Sequence, residues 1–391
     1  MLYKTIRSAF PVTSQCLYFD TAYVGPPPRP VTEASALFQK RLSHGSAGRI
    51  EDWLEEMMKV RALAARLIGA APEEVALTPN TTTGTALVAG TTRLGPGDSI
   101  VLDDLDFSSN TLVWLSRARK TGAETRIAAS VDGQIPLTAY ERLVDSRTRV
   151  LSTSLVSHAN GHVADVRRLS SLAHTYGALL HVDASQAVGA LKVDVNAVGI
   201  DTMAFGAYKW LLGPMGLAFF YARRELVREL EPLFPGWMHV RAWSGDASAP
   251  AVSVYEDARK FETASLPFGA VLELRAALEF LESIGMEEIE SRVLSLSSRL
   301  RSGLSQLGVE IKTPPSSRSG ITTFSVPDSG ELAAMLARNK VVVSMGRDGI
   351  RVSPHFFNSE DEVDTFVSLI GAWLRGLASG TRRKDSLPEQ T

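Results

Sequence analysis

Short apolar runs alternate with longer amphipathic stretches through the first half of the chain. Val75-Ala76-Leu77, Ser99 to Leu102, Arg149 to Ser154, Ala178 to Val182 and Thr202 to Ala207 each read as a buried strand bounded by turn residues. Glu51 to Ile68 carries Trp53, Leu54, Met57, Leu63, Ala64 and Leu67 at helical spacing, with Gly69 as its stop. Further helices are expected from Asn80, through Trp114, over Asp165 to Tyr176, over Arg223 to Leu230 and over 268–284. Alternation of this kind predicts an α/β fold, a mostly parallel sheet with helices on both faces. Gly216 to Ala222 is expected as an antiparallel edge strand, and residues 235–262, with Pro235, Gly236, Gly245 and Pro250, as an irregular loop for substrate or subunit contacts. From about 285 a smaller α/β pattern begins, with helices at 286–307, 329–339 and 359–375 and strands near 321–326, 341–345 and 349–353. Residues 1–30 read as an extended arm, because Pro26, Pro27, Pro28 and Pro30 oppose a helix. The expected division is an N-terminal arm (1–14), a large domain (15–260), a small C-terminal domain (261–375) and a disordered polar tail (376–391).

Composition narrows the class. The chain has 391 residues, 45% hydrophobic and 21% charged, with a formal net charge of −2. That balance offers no electrostatic footprint for nucleic acid or a membrane surface, and no apolar run approaches the ~18 residues of a membrane span. The single cysteine, Cys16, rules out an internal disulfide. Pro11 and polar residues interrupt the segment after Lys4 and Arg7, so no signal-peptide core follows them. A cytoplasmic enzyme is the expectation.

The candidate chemistry gathers at strand ends. Asp183 closes one apolar run, Gln186 follows on the turn out of the sheet, and Tyr208 and Lys209 close another. In open α/β sheets ligands bind at that edge. An acid, an amide and a lysine delivered there suit a carbonyl cofactor with a basic ring nitrogen, as in pyridoxal 5′-phosphate (PLP). The lysine forms a Schiff base, the acid keeps the pyridinium protonated, and the amide bonds the ring hydroxyl. Asn80-Thr81-Thr82-Thr83-Gly84 opens a helix, a start that can either cap itself or hold an anion. His158 and His162 do not make a metal site, since no third ligand has useful spacing.

Asp183-x-x-Gln186-x-x-Gly189, Asp194, Asp201, Lys209-Trp210-Leu211 and Gly213-Pro214-x-Gly216 together resemble the class V aminotransferase family, from about Tyr18 to about Ile370. The resemblance implies PLP fold type I and a homodimer. It places the phosphate at the Thr81 N–H and the Thr82 hydroxyl, with Thr83 standing where desulfurase relatives carry Glu. Tyr18-Phe19-Asp20-Thr21-Ala22 matches the motif beside the active site. Phe107 takes the place of the ring-stacking His, and His158 that of an Asn near the cofactor ring oxygen. Ser265, in Phe261-Glu262-Thr263-Ala264-Ser265, would reach the neighbouring subunit's phosphate. Gly349-Ile350-Arg351-Val352-Ser353-Pro354 matches the arginine strand, making Arg351 the clamp for a substrate α-carboxylate. With an ordinary pKa of ~6.5, His158 is expected to handle protons near neutrality, and His158→Asn to cost ~10²-fold in kcat.

The resemblance implies an α-amino acid substrate and passage through an external aldimine and a quinonoid. A cysteine desulfurase needs a nucleophilic Cys shortly before the arginine strand, and Val343-Ser344-Met345-Gly346-Arg347-Asp348 has none. The expectation is therefore side-chain cleavage of the carbon–sulfur lyase type within a biosynthetic pathway, with aminotransfer, epimerisation or decarboxylation as the alternatives. A PLP-binding regulatory protein without catalysis is the alternative of another class, and the presence of Arg351 weighs against it.

Overall fold

The computed structural model describes residues 2–46, 48–232, 234, 236–243 and 252–378. A seven-stranded sheet is built from β1 (Val75–Thr78), β2 (Ser99–Asp103), β3 (Glu124–Ala128), β4 (Thr148–Ser154), β5 (Leu179–Asp183), β6 (Thr202–Gly206) and β7 (Ala218–Ala222). Their order across the sheet is β1-β7-β6-β5-β4-β2-β3. Only β7 runs against the others, pairing antiparallel with both β1 and β6. It is therefore an interior strand, not the edge expected from its sequence. Every residue of Ala-Phe-Phe-Tyr-Ala is buried, because β1 covers its far side and helices cover both faces.

A second, four-stranded sheet holds β8 (Glu310–Ile311), β9 (Thr322–Ser325), β10 (Ser344–Gly346) and β11 (Gly349–Val352), in the order β8-β9-β11-β10. Its core includes Leu300, Leu304, Phe324, Ile350 and Phe366. The helix Phe268–Ile284 packs its Val271, Leu274, Leu278 and Leu281 into the core of the large sheet. The next helix, Met286–Gln306, passes from one core to the other: Ile289 and Val293 belong to the first, Leu296 and Leu300 to the second.

The N-terminal segment is not an extended arm. Leu2–Ser8 is helical, Pro11–Ser14 forms a 3₁₀ turn, and Arg29–Ser43 is a helix with Pro30 in its first turn. Proline is tolerated there because the first N–H groups of a helix lack intrahelical acceptors. Leu17–Tyr18 pairs in parallel with Val341–Val342, so this segment is built into the small sheet region. The stretch expected to be irregular holds a two-stranded ribbon, Val240–Trp243 with Val252–Val254, and a 3₁₀ turn at Ala258–Phe261; Pro235, Gly245 and Pro250 lie outside the described residues. The final helix runs Glu360–Ala378 and so takes in the first three residues of the expected tail; 379–391 lie outside the described residues. No described helix is long and apolar enough to cross a membrane.

Candidate active site

The parallel pairing aligns Ser154, Asp183 and Ala204 across β4, β5 and β6. The carboxyl ends of these strands, the start of the helix Thr81–Thr91 and the loop after β6 border a small hollow. It is lined by Asn80, Thr81, Thr82, Phe107, Asn110, His158, Asp183, Ser185, Gln186, Tyr208 and Lys209.

One end suits an anion. The Asn80 side chain accepts from the Thr83 N–H at 2.8 Å and fixes the helix start. The earlier N–H groups have no acceptor within the helix, and the helix dipole favours negative charge there. The Thr81 hydroxyl lies 3.1 Å from Ser185 Oγ. Ser185 was not picked out from the sequence, although it sits inside the Asp183-to-Gln186 motif.

The other end carries two buried carboxyl groups, Asp183 and Asp106. Asp183 Oδ1 accepts from the Ser185 N–H at 2.8 Å. Burial pushes its pKa up, while the Ser185 hydrogen bonds and Lys209 pull it down. Behind it, Asp106 accepts from Ser154 Oγ at 2.5 Å, from the Phe107 N–H at 2.8 Å and from Asn110 Nδ2. Burial, Asp103 and Asp183 push the Asp106 pKa well up. A cationic ring nitrogen would relieve this crowding.

Lys209 stands between the two ends, its Nζ 5.7 Å from the Phe107 ring centre and 5.8 Å from that of Tyr208. Burial lowers its pKa, Asp183 opposes that and Arg351 adds to it. A lowered amine pKa enlarges the neutral, nucleophilic fraction. The loop that presents Lys209 is tightly specified. Gly213 N–H bonds Ala207 O at 3.0 Å, and buried Leu212 takes a left-handed φ of 58°, a strain that persists where the surroundings over-determine it. A Cβ on Gly25 would sit 2.0 Å from Lys209 O, and one on Gly189 would sit 2.5 Å from Trp210 O.

Gln186 is engaged at both ends. Its Nε2 donates to Ala22 O at 2.9 Å and its Oε1 accepts from Trp210 Nε1 at 2.8 Å, leaving one N–H for the hollow. Phe107 is 39% exposed, an open aromatic face in the floor of a cleft that a second ring would cover.

Arg351 lies in an adjoining mouth, lined also by Asp20, Tyr23, Asp106, Ser344 and Met345, and His158 lines both spaces. The Arg351 Nη1 donates to His158 O at 3.0 Å and Nη2 to Ser344 Oγ at 3.3 Å, whereas Nε is buried without a partner. Ser265 is exposed and outside the hollow. Its motif is anchored by Glu262, which accepts from Arg61 Nη2 at 2.6 Å and from the Leu77 N–H at 2.9 Å.

His158 differs from its expectation. Burial first, then Arg351 and Lys209, lower its pKa to about 4, so it is neutral at physiological pH rather than poised near neutrality. Its ring meets Phe107 edge-on with centres 4.9 Å apart, and its Nδ1 is buried without a partner. Holding Phe107 and offering Nδ1 to a ligand are what this geometry supports. His158→Asn is accordingly expected to leave the pH profile of kcat/KM unchanged in shape through the neutral range. A neutral limb present in the wild type and missing in the variant would restore the proton-handling role.

The residues fit PLP: an anion cradle, a lysine with a depressed pKa, a buried acid, an open ring face and orphaned His158 Nδ1 and Arg351 Nε donors or acceptors for what binds beside it.

Comparisons with known proteins bear on the family and the fold. The Aminotransferase class-V family model matches residues 18–366. A probable cysteine desulfurase of Methanothermobacter thermautotrophicus is 28% identical over 400 residues, covering 96% of this chain and 98% of the relative. The uncharacterized aminotransferase YcbU of Bacillus subtilis is 30% identical over 325 residues, covering 82% and 85%. The apo cysteine desulfurase structure from Thermococcus onnurineus NA1 superposes with a TM-score of 0.87 at 27% identity, over 95% of this chain and 98% of that one.

Proposed function

We propose that this chain, which belongs to the class-V aminotransferase family, cleaves the carbon–sulfur bond of an α-amino acid by β-elimination. It is a PLP-dependent enzyme of fold type I. When bound, PLP supplies the electron sink that makes Cα–H cleavage accessible.

The chain's own residues account for the rest. Thr81, Thr82 and Ser185 would hold the phosphate, Phe107 and His158 the ring face, and Asp183 the ring nitrogen. Gln186 and Tyr208 border the same space. Lys209 is the covalent anchor and then the base that takes the Cα proton. Arg351 binds the α-carboxylate through two parallel hydrogen bonds. Ser265, exposed on this chain, completes the neighbouring site in a homodimer. We place the enzyme in the cytoplasm.

The observation that carries the reaction type is the segment before Arg351. It is a tight hairpin, with Ser344 opposite Arg351 and Gly346 opposite Gly349, and it holds no cysteine. Relatives named as cysteine desulfurases point to carbon–sulfur chemistry, and here sulfur has no protein thiol at this position to accept it. In β-elimination the Cα–H and Cβ–S bonds break, sulfur departs with the bonding pair, and the carbon skeleton is released to hydrolyse to a 2-oxo acid and ammonium. Incubation of the holoenzyme with L-cysteine and L-cystine should yield pyruvate and ammonium in equal amounts. Alanine as the carbon product would mean desulfuration. Transamination is the second reading, favoured by the Bacillus relative. It would show as a new amino acid formed only when a 2-oxo acid acceptor is supplied.

A further inference from the structure

The guanidinium of Arg351 is gripped by three separate stretches of chain. His158 O takes Nη1 at 3.0 Å, and Ser344 Oγ takes Nη2 at 3.3 Å. Ser344 in turn donates to Asp20 Oδ1 at 2.5 Å, and the same oxygen lies 3.6 Å from Nη2. Asp20 is 5% exposed. Its backbone is fixed as well, because it pairs in parallel with Ser353, and Ser353 Oγ accepts from the Ala22 N–H at 2.9 Å. The segment then runs on to the lysine: Gln186 bonds Ala22 O, and the Gly25 N–H donates to Tyr208 O at 2.8 Å.

We propose that Asp20 is a positioning residue for the carboxylate clamp, fixing the Arg351 guanidinium directly and through Ser344 so that its unpartnered Nε–H edge is left for the substrate α-carboxylate. Arg351 has a long side chain with many rotamers, and neutral acceptors alone hold a guanidinium loosely. A carboxylate set in the backbone ladder supplies both charge and direction. Burial raises the Asp20 pKa, with Ser344 and Arg351 opposing, so its ionised form depends on the contacts it organises. One strap, Asp20 to Gly25, thus ties the clamp to the backbone of Lys209.

The inference rests on Arg351 as the clamp, and the test separates the two. The holoenzyme is titrated spectroscopically with L-alanine and with ethylamine, which differ only in the carboxylate. Asp20→Ala should weaken L-alanine binding by ~10- to 100-fold, the range of a lost charge-assisted contact, while ethylamine binding and retained cofactor stay as in the wild type. Asp20→Asn, which keeps an acceptor for Ser344, should fall between, and in turnover both should raise KM more than they lower kcat. An Asp20 that merely competed with substrate for Arg351 would, on removal, tighten L-alanine binding, and that result overturns the proposal. So does an equal loss for both ligands, which would mark a general structural role. If Arg351→Lys weakens L-alanine binding and the Asp20 variants do not, positioning alone falls. If Arg351→Lys has no effect, the clamp falls and the proposal with it.

Discussion

Lys209→Ala is expected to lower kcat/KM by ~10⁴-fold or more, at or beyond the upper end for a lost general base, because this residue is read as both covalent anchor and base. The site is built around its amine. Burial lowers the lysine pKa, Phe107 and Tyr208 flank the Nζ, and Gly25 and Gly189 leave space for the backbone that carries it. Among the described residues no other lysine lines the hollow, so none of these stands by to replace it. The variant should keep its fold, since the backbone contacts of residues 207–213 do not involve the amine. It should bind PLP only reversibly, through Thr81, Thr82, Ser185 and Asp183. Borohydride reduction followed by peptide mapping is the direct check. Wild-type protein should carry reduced cofactor on the peptide with Lys209 and the variant on none. Labelling of any other lysine in the wild type would displace the assignment.

Much of this site was legible because it rests on short apolar runs. Ala178 to Val182 and Thr202 to Ala207 identify themselves as strands, and Asp183 and Lys209 follow from where those strands stop. The alternation of strand and helix was enough for the parallel sheet. What escaped depends on contacts between distant residues. That β7 is interior follows only from its pairing with β1, and that pairing is invisible in the run Gly216 to Ala222 itself. Pro30 looked like a barrier to helix and instead opens one. Asp20 and Ser344 are 324 residues apart and Thr81 and Ser185 are 104 apart, so neither pair has a local signature. His158 lines the hollow, yet its charge state depends on burial and on two cations, Arg351 and Lys209. Sequence spacing carries no information on either.

Asp183→Asn is expected to retain PLP and the fold while kcat falls by ~10²–10³-fold, the scale of removing one preorganised electrostatic contact. The carboxyl is at the end of β5 and buried, with one oxygen taken by the Ser185 N–H. Asparagine has nearly the same shape and preserves that bond, so packing should barely change. The charge is what disappears. A buried carboxylate pushed up in pKa by desolvation gains from a cationic partner, and the same pairing would keep the ring nitrogen of bound PLP protonated. A neutral amide would not give bound PLP that support, and Cα–H cleavage would be slower for it. Asp106 cannot take over, because Ser154, Asn110 and the Phe107 N–H hold it in place. The loss should therefore fall on the step that breaks Cα–H. A substrate deuterated at Cα tests this: the isotope effect on kcat should be larger in Asp183→Asn than in the wild type, with KM little changed. Near-normal turnover, or a slowed rate with no increase in the isotope effect, would remove Asp183 from the chemistry and leave it a structural residue at the strand end.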